Sequence, residues 1–221
     1  MKRLTLFTGH FGSGKTEIAI NYARKLKEEG TERVTLVDLD IVNPYFCSRD
    51  IADTLSDQGI RVISQNRHWS NAELMVVTPE VLSAFNKKDH SVVLDVGGDD
   101  MGAVALGQYN RFFQEEPYDM FLVVNGNRPL TATPEEAKEY LHAIEVSSRL
   151  NVTGLINNTN LSYETTLDDV VRGQDLVEAL AKDTGLPVIF TAVRRDLCGA
   201  AQSVIRGEIL PIDIYMKPPW R

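Results

Sequence analysis

Residues 9 to 16 read Gly-His-Phe-Gly-Ser-Gly-Lys-Thr, the complete pattern G-x-x-x-x-G-K-S/T, set between the apolar run Leu4-Thr5-Leu6-Phe7-Thr8 and a stretch of helical periodicity. That context restricts the start of the chain to a buried strand, a tight glycine-rich turn and a helix. The residue types also state what such a turn is for. A polyphosphate needs many donors packed close to it and no side chain in the way, which makes Gly9, Gly12, Ser13 and Gly14 candidate cofactor-binding residues. Successive N–H groups form a concave anion nest, and the helix starting near Lys15 presents its positive end to the same phosphates. Lys15 is expected to bridge the β and γ phosphates, and the Thr16 hydroxyl to give one oxygen to Mg²⁺. The plain alternative is a glycine-rich turn followed by a solvated lysine.

Short apolar runs recur along the chain: Leu4 to Thr8, Val34 to Val37, Ile60 to Ile63, Val92 to Leu94, Phe121 to Val124, Val152 to Ile156 and Val188 to Phe190. They are continuous rather than alternating, as in strands covered on both faces. Helical periodicity fills the intervals at Glu17 to Glu29, Thr78 to Lys87, Ala103 to Gln114, Pro134 to Leu150 and Asp168 to Asp183. Right-handed crossovers then put helices on both sides of a mostly parallel sheet, a doubly wound α/β fold. Thr133-Pro134-Glu135-Glu136 offers an N-cap followed by proline and early acids, while Gly30 and Gly185 stand where helices should stop. From Leu197 onward, Gly199, Gly207 and Pro211 break the pattern, which suggests a helix plus a packing tail. With no repeat or linker composition in its 221 residues, the whole chain is expected to form one nucleotide-binding domain.

In open α/β sheets ligands gather at the carboxyl ends of the strands. The second run ends in Val37-Asp38-Leu39-Asp40 and the fourth in Leu94-Asp95-Val96-Gly97-Gly98. Asp95 is placed to hold Mg²⁺ directly or through water, and the D-x-x-G spacing puts the Gly98 N–H where a γ-phosphate is sensed. Asp38 and Asp40 share a face in an extended segment and separate if the chain turns after Asp38. One is suited to order a metal-bound water and the other to position the attacking water. Asp99 and Asp100 read as the solvated part of a mobile switch.

Taken together, the glycine-rich loop, the Asp-x-Asp after the second strand and the Asp-x-x-Gly after a later one resemble the MinD/ParA/CobQ-type P-loop ATPases of the SIMIBI class, which includes the nitrogenase iron protein. The likeness runs from Leu4 to about Phe190. It implies Lys15 and Thr16 as Walker-A residues, Asp38 as the magnesium-water ligand, Asp40 as the catalytic acid that orients water and Asp95 as the Walker-B acid. Asp38 to Phe46 would then be switch I. One position departs: where that family carries an extra lysine that reaches a partner's phosphates, this chain has His10. A trans-acting cation is worth about 10³ to 10⁵ in rate, so intrinsic turnover is expected to be slow. A protonated His10 substituting in part and a simple loop-exposed histidine both stay open.

The choice of base rests on Asn157-Asn158-Thr159-Asn160, at the place where P-loop GTPases carry N-K-x-D. A guanine-reading carboxylate accepts from two ring-edge donors, whereas Asn160 has one carbonyl oxygen and a competing donor, which favours adenine. In MinD-like ATPases an asparagine at the end of this strand touches the base, so Asn157 is the base-contact candidate; an asparagine-rich turn tolerating left-handed backbone is the other reading. ATP and Mg²⁺ are the expected cofactors. The alternatives are a GTP-dependent metallochaperone, without the Cys/His metal motif such proteins carry, and a nonhydrolytic nucleotide-binding adaptor. Related ligase or phosphotransfer chemistry shares the phosphate site, but no acceptor site is evident.

A net charge of −8 and a pI near 5.1 make nucleic acid an unlikely partner. No apolar run approaches the 18 or so residues needed to cross a bilayer, and the run after Met1-Lys2-Arg3 reaches only Thr8, so a cytoplasmic protein is expected. Its partners are expected to be an unidentified protein client and a second copy of the chain. Cys47 and Cys198 are too far apart in sequence for a C-x-x-C motif and read as free thiols. Arg67-His68-Trp69 and Trp220 each admit a contact role or plain packing.

Overall fold

The computed structural model describes residues 2–40, 51–64, 79–98, 102 and 106–216. Residues 41–46 of the expected switch I, Cys47, Arg67-His68-Trp69, Asp99, Asp100 and the segment 217–221 with Trp220 lie outside the described residues.

Within them, the strands β1 (Leu4–Thr8), β2 (Val34–Asp38), β3 (Ile60–Ser64), β4 (Ser91–Asp95), β5 (Tyr118–Val124), β6 (Gly154–Asn157), β7 (Val188–Arg194) and β8 (Ile209–Ile212) form one sheet. Its spatial order is β3-β2-β4-β1-β5-β6-β7-β8, with every neighbouring pair parallel. The helices are α1 (Lys15–Glu28), α2 (Ala52–Asp57), α3 (Pro79–Asn86), α4 (Asn110–Glu115), α5 (Pro134–Ser148), α6 (Leu167–Thr184) and the short α7 (Cys198–Ala201). The continuous apolar runs have the cause expected of them. Along β5, Met120, Leu122 and Val124 pack with α3, α4, α5 and α6, while Phe121 and Val123 pack on the other face with α1. The same split divides Leu4 and Leu6 from Phe7 on β1, so the fold is a doubly wound α/β sheet.

Local chemistry sets the helix ends near the sheet's carboxyl edge. Thr133 and Glu136 form a capping box ahead of Pro134 on α5, and Thr166 with Asp169 forms another on α6. At the other, amino edge, Gly185, left-handed at φ 74°, closes α6 ahead of β7.

Two elements escaped the sequence pattern. The six residues of α2 bury only Leu55, too little for a helical period to show. The strand β8 contains Pro211, which reads as a breaker but is tolerated because β8 is the sheet's edge and pairs only with β7, Pro211 lying opposite Val193. The tail beyond β8 packs on α1: Asp213 and Asn21 exchange two hydrogen bonds of 2.9 Å, and Glu17 accepts from the N–H groups of Tyr215 and Met216. Cys198 is a free thiol on α7, its pKa raised by burial.

At the amino ends of the central strands, one side chain ties several elements together. The Arg3 guanidinium donates to both carboxylate oxygens of Glu116, at 2.5 and 2.8 Å, and to the carbonyls of Ala84, Phe85, Lys87 and His90. It thus caps the C-terminal end of α3 while pinning the residue that ends α4. Lys88 adds a second cation to Glu116 at 2.5 Å.

Candidate functional site

β1, β4 and β2 are neighbours, and their carboxyl ends meet. Asp38 stands in register with Asp95, and Asp95 with Phe7, so both acids reach the rim from which the glycine-rich loop departs. The loop runs from Gly9 to Gly14, the latter capping α1 in the left-handed conformation at φ 86°. A Cβ at Gly14 would lie 2.4 Å from Asn158 Nδ2, so both the backbone and the space demand glycine. Lys15 and Thr16 follow in the first helical turn, both buried.

The ammonium of Lys15 stands 3.8 Å from Asp40 Oδ2. The chain turns directly after Asp38, and the Asp40 N–H donates to Asp38 Oδ1 at 3.1 Å. That turn separates the two side chains, giving Asp40 to the lysine. Asp95 is fully buried, and neither of its carboxylate oxygens has a hydrogen-bond partner among the described residues. Burial pushes its pKa well up; Asp38 and Asp40 add to the rise, while Lys15 and Thr16 oppose it. Acids therefore outnumber the cation, and an orphaned buried carboxylate beside a hydroxyl suits a hard divalent ion. Among the described residues no three His, Cys, Asp or Glu side chains converge as a cage. Mg²⁺ does not require one, since it keeps waters and takes few protein oxygens plus those of phosphate. Thr16, Asp38 and Asp95 fit that donor set.

Gly98 closes against the loop. A Cβ there would lie 2.0 Å from the Gly9 carbonyl oxygen, and the Gly98 carbonyl accepts from the Tyr140 hydroxyl of α5. Tyr140 also packs edge-on against the His10 ring, 5.6 Å between centroids. His10 is thus half-buried rather than a simple exposed loop residue. Burial, then the charges of Lys15 and Arg128, hold its pKa below the ordinary value despite a backbone hydrogen bond, leaving it neutral near pH 7.

The third wall comes from the loops after β5 and β6. Asn125, fully buried, donates to the Gly12 carbonyl at 3.4 Å and the Asn160 carbonyl at 3.2 Å, and accepts from the N–H groups of Asn127 and Asn160. Asn158 donates to the Ser13 carbonyl at 2.7 Å, and Arg128 Nε to the Gly12 carbonyl at 3.3 Å. These bonds hold the Gly12 and Ser13 carbonyls, and the Ser13 N–H closes the loop on the His10 carbonyl at 2.9 Å. Asn157 corrects the sequence reading. It is fully enclosed, its amide donating to the Val170 carbonyl of α6 and accepting from the Thr159 N–H, so burial keeps it from a base. Asn125, Asn158, Arg128 and Tyr140 were not foreseen. The rule that found Asp38 and Asp95, polar residues just past an apolar run, also fits Asn125 after Phe121 to Val124.

No protein-family profile and no curated protein matches the sequence. Solved structures do match. The cell division protein FtsY of Thermotoga maritima is 19% identical with a TM-score of 0.57, covering 86% of this chain and 61% of that one. FtsY of Mycoplasma mycoides is 18% identical with a TM-score of 0.56, covering 87% and 60%. The signal recognition particle receptor FtsY of Elizabethkingia anophelis, in complex with GDP, is 21% identical with a TM-score of 0.54, covering 87% and 57%. The fold is that of the P-loop NTPases. This P-loop chain spans about 60% of the length of those structures, as the coverage of 61%, 60% and 57% shows. These likenesses show the fold and lend nothing to the MinD/ParA subgroup. No helix among the described residues is long and apolar enough to cross a membrane.

Proposed function

We propose that this chain is a Mg²⁺-dependent nucleoside triphosphatase, using ATP with slow intrinsic turnover, whose nucleotide state alters its affinity for a protein client. The observation that carries the reading is the orphaned, fully buried Asp95 carboxylate beside an intact phosphate loop. In this reading the loop N–H groups and Lys15 hold the β and γ phosphates, Thr16, Asp38 and Asp95 hold the metal, and Asp40 orients the attacking water. Mg²⁺ would neutralise charge on the phosphate oxygens. Gly98, tied to Tyr140 and against Gly9, is the reporter of the γ-phosphate. Adenine is favoured because Asn160 has its carbonyl engaged by the Ser162 N–H at 3.0 Å and its amide by the Asn158 carbonyl at 2.7 Å. A specific observation favours a second reading, GTP: one structural neighbour is in complex with GDP.

The reading extends to one domain of 221 residues, a cytoplasmic location and a second copy of the chain as a partner. Titration calorimetry with Mg²⁺ and each purine triphosphate tests it. Heat of binding is expected for ATP, with GTP competing at least tenfold less well. A reversed order replaces adenine by guanine, and no heat for either overturns the reading.

A further inference from the structure

The loop after β5 brings a cation to the phosphate site that the pattern of the family does not contain. Arg128 is exposed, yet its guanidinium lies over the loop: a Cβ on Gly12 would meet Arg128 Nε at 3.1 Å and Cζ at 3.3 Å. Its Nε donates to the Gly12 carbonyl, and its two Nη groups have no hydrogen-bond partner among the described residues. The anchoring is not accidental. Arg128 N–H donates to the Asn125 carbonyl at 3.0 Å, and the buried Thr131 hydroxyl donates to the same carbonyl at 2.9 Å, which fixes the turn that presents the side chain. His10, at the position of the absent lysine, is neutral near pH 7 and so leaves that charge unsupplied.

We infer that Arg128 is the second cation of the phosphate site, acting in cis on the β–γ bridge of the bound triphosphate. The inference rests on the proposed triphosphatase reading. In hydrolysis the water oxygen forms a bond to the γ-phosphorus as the bond from that phosphorus to the bridging oxygen breaks. The diphosphate leaves with the bond's electron pair, and the water's proton goes to the released phosphate. Negative charge grows on the bridging oxygen, and a guanidinium held at Gly12 opposes it. Arginine suits this place because its planar fork can keep one N–H on a carbonyl while offering others to phosphate.

Single-turnover hydrolysis and nucleotide binding by Arg128→Ala and Arg128→Lys test the inference. Removing one such donor typically costs about 10² in rate, so Arg128→Ala is expected to lower kcat about 10²-fold while the Kd for the diphosphate stays within about threefold. Arg128→Lys should recover about tenfold of the loss, and wild-type kcat per chain should not change on dilution. Unchanged kcat in Arg128→Ala, an equal loss of diphosphate affinity, or turnover that falls on dilution overturns the inference. A wild-type protein that binds no triphosphate overturns the triphosphatase reading itself.

Discussion

Asp95→Asn is expected to make the ligand-free protein more heat-resistant while reducing Mg²⁺-dependent triphosphate hydrolysis about 10³-fold, the loss typical when a transition-state charge loses its stabiliser. The two effects have one cause. The carboxyl group is fully buried beside Asp38 and Asp40, and Lys15 and Thr16 offset that environment only in part. Because its folded-state pKa lies above the unfolded one, its contribution to stability is fully present only below about pH 4 and is lost as pH rises through the folded pKa. With the folded-state pKa pushed up to about 8, the ligand-free protein must take up a proton at Asp95 to fold at pH 7, which opposes folding, and an amide of the same shape removes that cost. Relief of about 1–2 kcal/mol would raise Tm by about 2–8 °C in a chain of this size. Lys15→Ala is the mirror case. It deletes the ammonium 3.8 Å from Asp40, so it should lower Tm while also abolishing turnover. Thermal melts without nucleotide at pH 7, alongside phosphate release, read both variants. Two inactive proteins whose Tm values move in opposite directions are expected; a destabilised Asp95→Asn that still hydrolyses would remove Asp95 from the site.

The same residues show what was legible beforehand. Lys15, Thr16, Asp38, Asp40 and Asp95 stand in the sequence at fixed offsets from strand ends, and a parallel sheet brings its strand ends together whatever the loops contain. Hence the sheet and the placement of these residues could be read from one dimension. The asparagine loops could not. Asn157 and Asn158 are adjacent and identical, yet one is enclosed by α6 and the other donates to the phosphate loop. What distinguishes them is the alternation of side chains at the end of β6 and the approach of Thr159 to Gly173, where a Cβ would meet the threonine hydroxyl at 2.1 Å. Tertiary distance decides that, and no local spacing records it. Pro211 was misread for a related reason: proline breaks a central strand, and only the sheet order shows that β8 lies at an edge.

Arg3 was legible only as a charge ahead of an apolar run, yet Arg3→Ala is expected to be the most damaging single truncation away from the site. The side chain is 13% exposed and its partner Glu116 18%. Truncation would leave a half-buried carboxylate with only Lys88, and would take the Arg3 donor from the carbonyls of Ala84, Phe85 and His90. The pair is half-buried, so the loss falls below that of a fully buried pair, at about 2–3 kcal/mol, which corresponds to a fall of about 4–12 °C in Tm for a chain of this size. The carboxylate's titration gives an independent reading. Hydrogen bonds from Arg3, then Lys88, hold Glu116 down from 4.5 to about 2 against the opposing effect of burial. Its stabilising contribution is therefore present above about pH 4.5 and is lost as pH falls toward 2. Glu116→Gln should be less stable than wild type by about 3 kcal/mol at pH 7, with the gap closing between pH 4.5 and 2. Urea unfolding across that range measures the gap. A pH-independent difference would mean that shape, rather than charge, holds α3 and α4 to the start of β1.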